Sequence, residues 1–357
     1  MTVSECRPKL VMQWLPDWMH VHVGTSFAKE YYEDYELRKL EKDKLERHLY
    51  ERFGDIGLGQ KKPDVPYNLE FGLCGISNVF GCKIKFFENA WPQNVPLNLS
   101  LQEAVTIETP DPAQIYPIYE MLRQAREIKQ KYGQVQGEIA HIGILVIALD
   151  VRGNDIFMGM HDDPAAVRIF LTKCSAVFAA SIRTVRRETG YSGLVVPGNC
   201  PLAMISDREY RAFIKEQDVW LSNQFQPFGL HHCGKQDNTI TSMAEVPNVS
   251  YVDIGITTSP HLVRKHWGAD KQLSFVGESL DDKSETQIAD ELTKLILEVG
   301  EPYGRITIGF PATQFTDDSK IRAAFAAVNE FNTSKKSEVI FLTQKSSKQF
   351  KKVKSIA

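Results

Sequence analysis

The chain has 357 residues, 43% hydrophobic and 24% charged, enough for a full core and a length that an α/β barrel can fill as one domain. Its net charge of -3 and pI of about 6.3 argue against a nucleic-acid-binding protein. No apolar run of 18 or more residues predicts a membrane span, and residues Met1 to Leu10 lack a signal-peptide core. The six cysteines (Cys6, Cys74, Cys82, Cys174, Cys200, Cys233) show no framework spacing, so reduced thiols in a cytoplasmic protein are expected.

In chain order, Leu10 to Trp14 predicts a short strand. Trp14, Trp18, His20 and His22 follow in a stretch that Pro16 should break, placing them in a non-helical core or pocket segment. Phe27 to Arg52 predicts an exposed amphipathic helix, and Asp55 to Leu58 a weak strand. The glycines and prolines of Pro63 to Pro96 predict a long irregular loop of the lid or binding type. Ala113 to Lys131 is helical again, and Ile142 to Asp150 is an apolar run expected as a buried strand. Asp163-Pro164 opens a helix to about Glu188. Gly193 to Pro197 predicts a strand, and Ser206 with Glu209 forms a capping box for a helix ending near Phe225. Strands are then expected at Phe228–His232, Val249–Gly255, Leu273–Gly277 and Arg305–Phe310. Helices are expected at Pro260–Trp267, from Ser284 to Val299, and at Asp318–Phe331. The tail 334–357 carries a lysine run, either solvated or docking an acidic partner.

Strands alternating with helices predict parallel βαβ units, and eight of them predict a (β/α)8 TIM barrel. The expected organisation is a single domain. Residues 1–110 hold an N-terminal extension, the first strands and the lid-like loop; 111–333 hold regular units; 334–357 form the basic tail.

Active sites in such barrels lie at the C-terminal ends of the strands. His231 and Cys233 fall there, and strand alternation points both to one side. An imidazole and a thiol so placed form half of a zinc site. Cys200 ends the preceding strand and could supply a third ligand; the alternative is a buried thiol. Asp150 and Glu278 are strand-end carboxylates available as ligand or general base. Asn199, His161, Trp14 and His20 are candidate substrate contacts.

The chain resembles the uroporphyrinogen decarboxylase superfamily from about Leu10 to Phe331. The marks are Asp162-Asp163-Pro164, Val196-Pro197-Gly198-Asn199-Cys200, Leu230-His231-His232-Cys233-Gly234 and Val252-Asp253-Ile254-Gly255, in that order. The decarboxylase branch of that superfamily carries N-terminal arginines for the substrate's carboxylates, and Trp14 to Glu30 has none. The resemblance is therefore closer to the cobalamin-dependent (methylcobamide) methyltransferases. It implies zinc at His231 and Cys233, cobalamin carried by a separate corrinoid protein, and a small methylated substrate such as a methyl ether. That branch has a further cysteine after the last strand, where this chain has Gly309-Phe310-Pro311-Ala312. The expected function is methyl transfer between the substrate and the corrinoid protein, with demethylation of the substrate the favoured direction. The alternatives are a decarboxylase or lyase acting on another acid, and a non-catalytic binding barrel.

Overall fold

The computed structural model describes residues 7–333; the basic tail and the docking role expected of it lie outside the described residues. The chain forms β1 (Lys9–Trp14), β2 (Lys83–Lys85), β3 (Gln93–Val95), β4 (Phe228–His232), β5 (Val249–Gly255), β6 (Gln272–Val276) and β7 (Ile306–Ala312). Five of these make one parallel sheet in the order β1-β7-β6-β5-β4, while β2 and β3 pair antiparallel inside the long loop. Mixed α/β architecture follows, with helices filling the connections that parallel strands require.

Alternation decides which face packs. In β7, Ile306, Ile308, Phe310 and Ala312 are buried, and Thr307, Gly309 and Pro311 are not. Register carries this across the sheet. One row runs Leu10–Ile308–Phe275–Ile254–His232 and meets the helices. The adjacent row runs Lys9–Thr307–Ser274–Asp253–His231 on the opposite face, and it is polar throughout. Ile308, Phe275 and Ile254 are each fully buried, and such side chains contribute about 1.5–3 kcal/mol apiece. Beyond β4 the sheet is continued by single parallel bridges, Val195 to Phe228, Gly198 to His231, and Ile142 to Gly198.

Several local expectations fail for identifiable reasons. Residues 142–150 are not a strand: Ile144–Arg152 is a helix, started at Gly143 and ended at Gly153, whose φ is 65°. A continuous apolar run has no period to separate helix from strand. Here the helix wins because Asn199 Oδ1 takes the Leu145 amide proton at 3.0 Å, a cap supplied from 54 residues away. The stretch Trp14 to His22 is not irregular either. Pro16 occupies the first turn of helix Pro16–Val23, the one place where a helix tolerates proline. Asp55 to Leu58 is a 3₁₀ turn, Gly54–Ile56, and residues 193–197 join the sheet only through the bridges above. The helix from Phe27 to Arg52 is split at Asp34 into Lys29–Glu33 and Tyr35–Phe53, with the Asp34 side chain capping the second piece.

Helix Pro164–Thr189 begins where Asp163 accepts the Ala166 amide at 3.1 Å and stops at Gly190, φ 75°. By length and composition it could cross a membrane, yet Phe170, Leu171, Cys174, Phe178 and Ile182 are fully buried within the fold. Its apolar character is used in packing.

A candidate metal centre beside an apolar cavity

The open-face row of the sheet ends in chemistry. His231 on β4 and Asp253 on β5 are register partners, so strand pairing alone sets them side by side. Asp253 Oδ2 lies 2.5 Å from His231 Nδ1, and His231 Nε2 lies 3.4 Å from Cys200 Sγ. Cys200 is held through its neighbour. The Asn199 amide donates to the His231 carbonyl at 3.1 Å, while its side chain caps the helix at Leu145. Cys233 sits one residue past β4, and its carbonyl presses on Gly255. A Cβ at 255 would lie 2.4 Å from that oxygen, so only glycine lets β5 pass so close.

The ligand atoms of Cys200, His231 and Cys233 all lie within 4.8 Å of one another. Zinc holds sulfur at ~2.3 Å and nitrogen at ~2.0–2.1 Å, so tetrahedral ligands stand roughly 3.5–4 Å apart. The observed 3.4 Å between Cys200 and His231 is near that spacing. The residues therefore fit a soft divalent ion. Asp253 occupies the place of the carboxylate that orients a metal-bound histidine and selects the nitrogen it offers. Three protein ligands leave one position for substrate or water.

The protonation pattern agrees. A hydrogen bond from Cys233 holds the Cys200 thiol well below the usual range; burial opposes this and a bond from His231 reinforces it. The reciprocal bond raises Cys233, with burial adding to it. Burial alone would lower His231, but its bonds to Asp253 and Cys200 outweigh burial and carry it up to about 10. One thiolate thus shares the site with a cationic imidazole, and metal binding requires only further proton loss.

A cavity of about 580 Å³ opens beside this cluster. Cys200, His231 and Asp253 form one wall; Leu73, Ile142, Val146, Leu194, Val196 and Tyr251 supply much of the remainder. His141 also lines it, but its polar atoms turn away. Nδ1 accepts the Val196 amide at 3.1 Å, and Nε2, buried and without a hydrogen bond, lies 3.0 Å from Glu138 Oε1. Glu138 is in turn bonded by Arg186 at 2.6 and 2.7 Å.

The other sequence candidates are scattered. Asp150 is on a helix, not a strand end. Its carboxylate accepts from Ser77 at 2.6 Å and Asn94 at 2.8 Å, which ties down the long loop, and burial raises its pKa. Glu278 is exposed just past β6. Trp14 points to the helix-facing side of the sheet, 4.4 Å from Trp18 and 5.9 Å from Phe53 between ring centres. His20 Nδ1 donates to the Thr25 carbonyl, 3.0 Å away. His161 is exposed, 3.1 Å from Glu209. None of these five lines the cavity. Asn199 is buried and adjoins Cys200, where its hydrogen bonds fix the backbone. From sequence Asp253 stands out only as a strand-end residue of Val252-Asp253-Ile254-Gly255, with no role assigned, and His141 is not singled out. Pairing the ends of neighbouring strands at one depth would have set Asp253 beside His231.

No family model matches this sequence, and no curated protein matches it. Among solved structures, the chain is similar to a methyltransferase from Methanosarcina mazei, with a TM-score of 0.63 at 18% identity. The likeness covers 92% of this chain and 96% of that one. At that identity what the two proteins share is a fold.

Proposed function

We propose that this chain is a zinc-dependent methyltransferase of the (β/α)8 barrel type. It moves a methyl group between a small methylated substrate and a corrinoid carried by a partner protein. The single observation that carries the reading is the convergence of Cys200, His231 and Cys233, the first two of which line an apolar cavity. The fold shared with a methyltransferase supports it, and the bridges at Val195, Gly198 and Ile142 support a sheet that continues toward a closed barrel.

Zinc at these three residues would act as a Lewis acid on a substrate oxygen or sulfur. The protein's own contributions are separate. Asp253 fixes the ring of His231 and the nitrogen it presents. Asn199 fixes the backbone beside Cys200. The apolar wall keeps water from the reacting methyl group, and cobalamin on the partner supplies the carbon–cobalt chemistry. Metal analysis of the purified protein, followed by spectroscopy with cob(I)alamin and a panel of methylated compounds, tests the proposal. About one zinc per chain and a cobalt–carbon absorbance with one donor support it; a fully active, metal-free chain sinks it.

One observation favours a second reading. Cys200, His231 and Asp253 also stand in the order nucleophile, base and orienting carboxylate. A metal-free protein in which iodoacetamide labels Cys200 rapidly, and in which that label abolishes turnover, would favour covalent thiol catalysis instead.

A further inference from the structure

We infer that the cavity takes an uncharged, largely apolar substrate body and discriminates against carboxylates. This rests on the reading of the cavity as the substrate site and deepens it. Among the described residues lining it there is no lysine or arginine. Most of the polar side chains that do line it are already engaged, and the unbonded Asp253 Oδ1 can only accept, which offers nothing to an anion. Cys200, His231 and Asp253 are bonded in a chain, and the Tyr251 hydroxyl is paired with Ser274. His141 is turned to the Val196 amide and to Glu138. A carboxylate entering here would lose its hydration and find no cationic side chain in the wall to pair with, a cost of several kcal/mol by general experience with buried charge.

Two features could have reversed this. The helix Ile144–Arg152 starts at the cavity, and helix N-termini attract anions. One of its first-turn amides, that of Leu145, is however already taken by Asn199, and the aliphatic Val146 stands beside it in the wall. A bound divalent ion would add positive charge, but two cysteine thiolates would offset it, and Asp253 stands directly behind His231. Size points the same way as charge. A volume of about 580 Å³ is within the range of pockets that enclose drug-sized ligands, and its walls at Leu73, Ile142, Val146, Leu194 and Val196 are aliphatic. Such walls reward apolar area and offer nothing for an ionic group to bond.

The test is equilibrium binding by calorimetry of two matched probes, 2-methoxynaphthalene and 6-methoxy-2-naphthoate, to the full chain with and without zinc. The expected result at pH 7.5 is at least tenfold tighter binding of the neutral probe in both forms. Val146→Arg should narrow or invert that ratio by placing a cation in the wall. If that variant fails to fold, Leu73→Arg serves, since Leu73 is 59% exposed and a long side chain fits there. Equal or tighter binding of the naphthoate by the unaltered chain overturns the inference, as does failure of the neutral probe to bind at all. The two ideas fail separately. A chain that binds the neutral probe but neither holds zinc nor moves a methyl group keeps this inference and loses the methyltransferase reading. A zinc-loaded chain that demethylates only anionic donors does the reverse.

Discussion

His231 and His232 are neighbours in sequence and opposites in state. His231 faces the cavity, with Asp253 on one nitrogen and Cys200 on the other, and its pKa is carried up to about 10. His232 faces the helices, buried, with neither ring nitrogen bonded; burial, then repulsion from His231, push its pKa down to about 3. His232 is fully buried and His231 largely so, its side chain 26% exposed. What separates them is partners: desolvation disfavours charge on both rings, and only a carboxylate with a thiolate overturns it. A strand turns that difference on and off every second residue, so a catalytic face and a packing face can share one segment.

The comparison breaks most sharply if the proposed metal ligands are removed. His231→Ala, Cys200→Ala and Cys233→Ala should each abolish zinc retention, read as metal per chain after dialysis, while the thermal melt stays cooperative. A variant that unfolds outright, with metal lost only in proportion, would place that residue in the core instead. Next comes the partner. Asp253→Asn keeps the shape of the pair but removes its charge, and should weaken zinc binding by ~10–100-fold in a competition titration with a chelator. Unchanged affinity would mean that His231 needs no carboxylate.

A third measurement extends the rule to another site. Asp218 is fully buried, with the Tyr210 hydroxyl at 2.9 Å as its partner, and burial raises its pKa to about 7. The folded chain then keeps a proton that the unfolded chain has released, so stability is lost as pH rises from about 4 to about 7. Asp218→Asn should therefore stabilise the protein by on the order of 2 kcal/mol at pH 8 and make little difference below pH 4, by denaturant titration. The opposite pH trend would show a charged Asp218. The smallest effect is at His232. His232→Leu removes two unbonded polar atoms from the packed face and should be neutral or stabilising by ~1 kcal/mol, with zinc content unchanged. A loss of several kcal/mol would reveal a bond to His232 that its surroundings do not show.

These contrasts also explain what could be read from sequence. Elements with local signals were legible. Ser284 with Gln287 forms the capping box that starts helix Glu285–Val299, and Pro260 begins helix Pro260–Trp267 where its ring requires. The span Val249–Gly255 is a strand as its alternation indicates. The failures depended on distant residues. Nothing within 142–150 announces that Asn199 will cap it as a helix. Nothing within 14–22 shows that Trp14 will stack on Phe53 instead of reaching the cavity. At the site, the grouping of Cys200 with His231 and Cys233 was legible because all three end neighbouring segments. Asp253 was harder, because its role comes from register between β4 and β5, and register is a property of two strands at once.

The dipeptide Asn199-Cys200 carries a consequence for redesign. Asn199 holds the backbone by two hydrogen bonds, to His231 and to Leu145, and neither involves the Cys200 side chain. On the proposed metal site, anchoring and metal affinity thus fall to separate, adjacent residues. Donor hardness can then be altered without rebuilding the scaffold. Cys200→Asp would exchange a soft sulfur for a hard oxygen at the same address and shift preference from zinc toward manganese-type ions. Asn199→Ala, by contrast, would remove the acceptor for the Leu145 amide and with it one of the two anchors that fix the address.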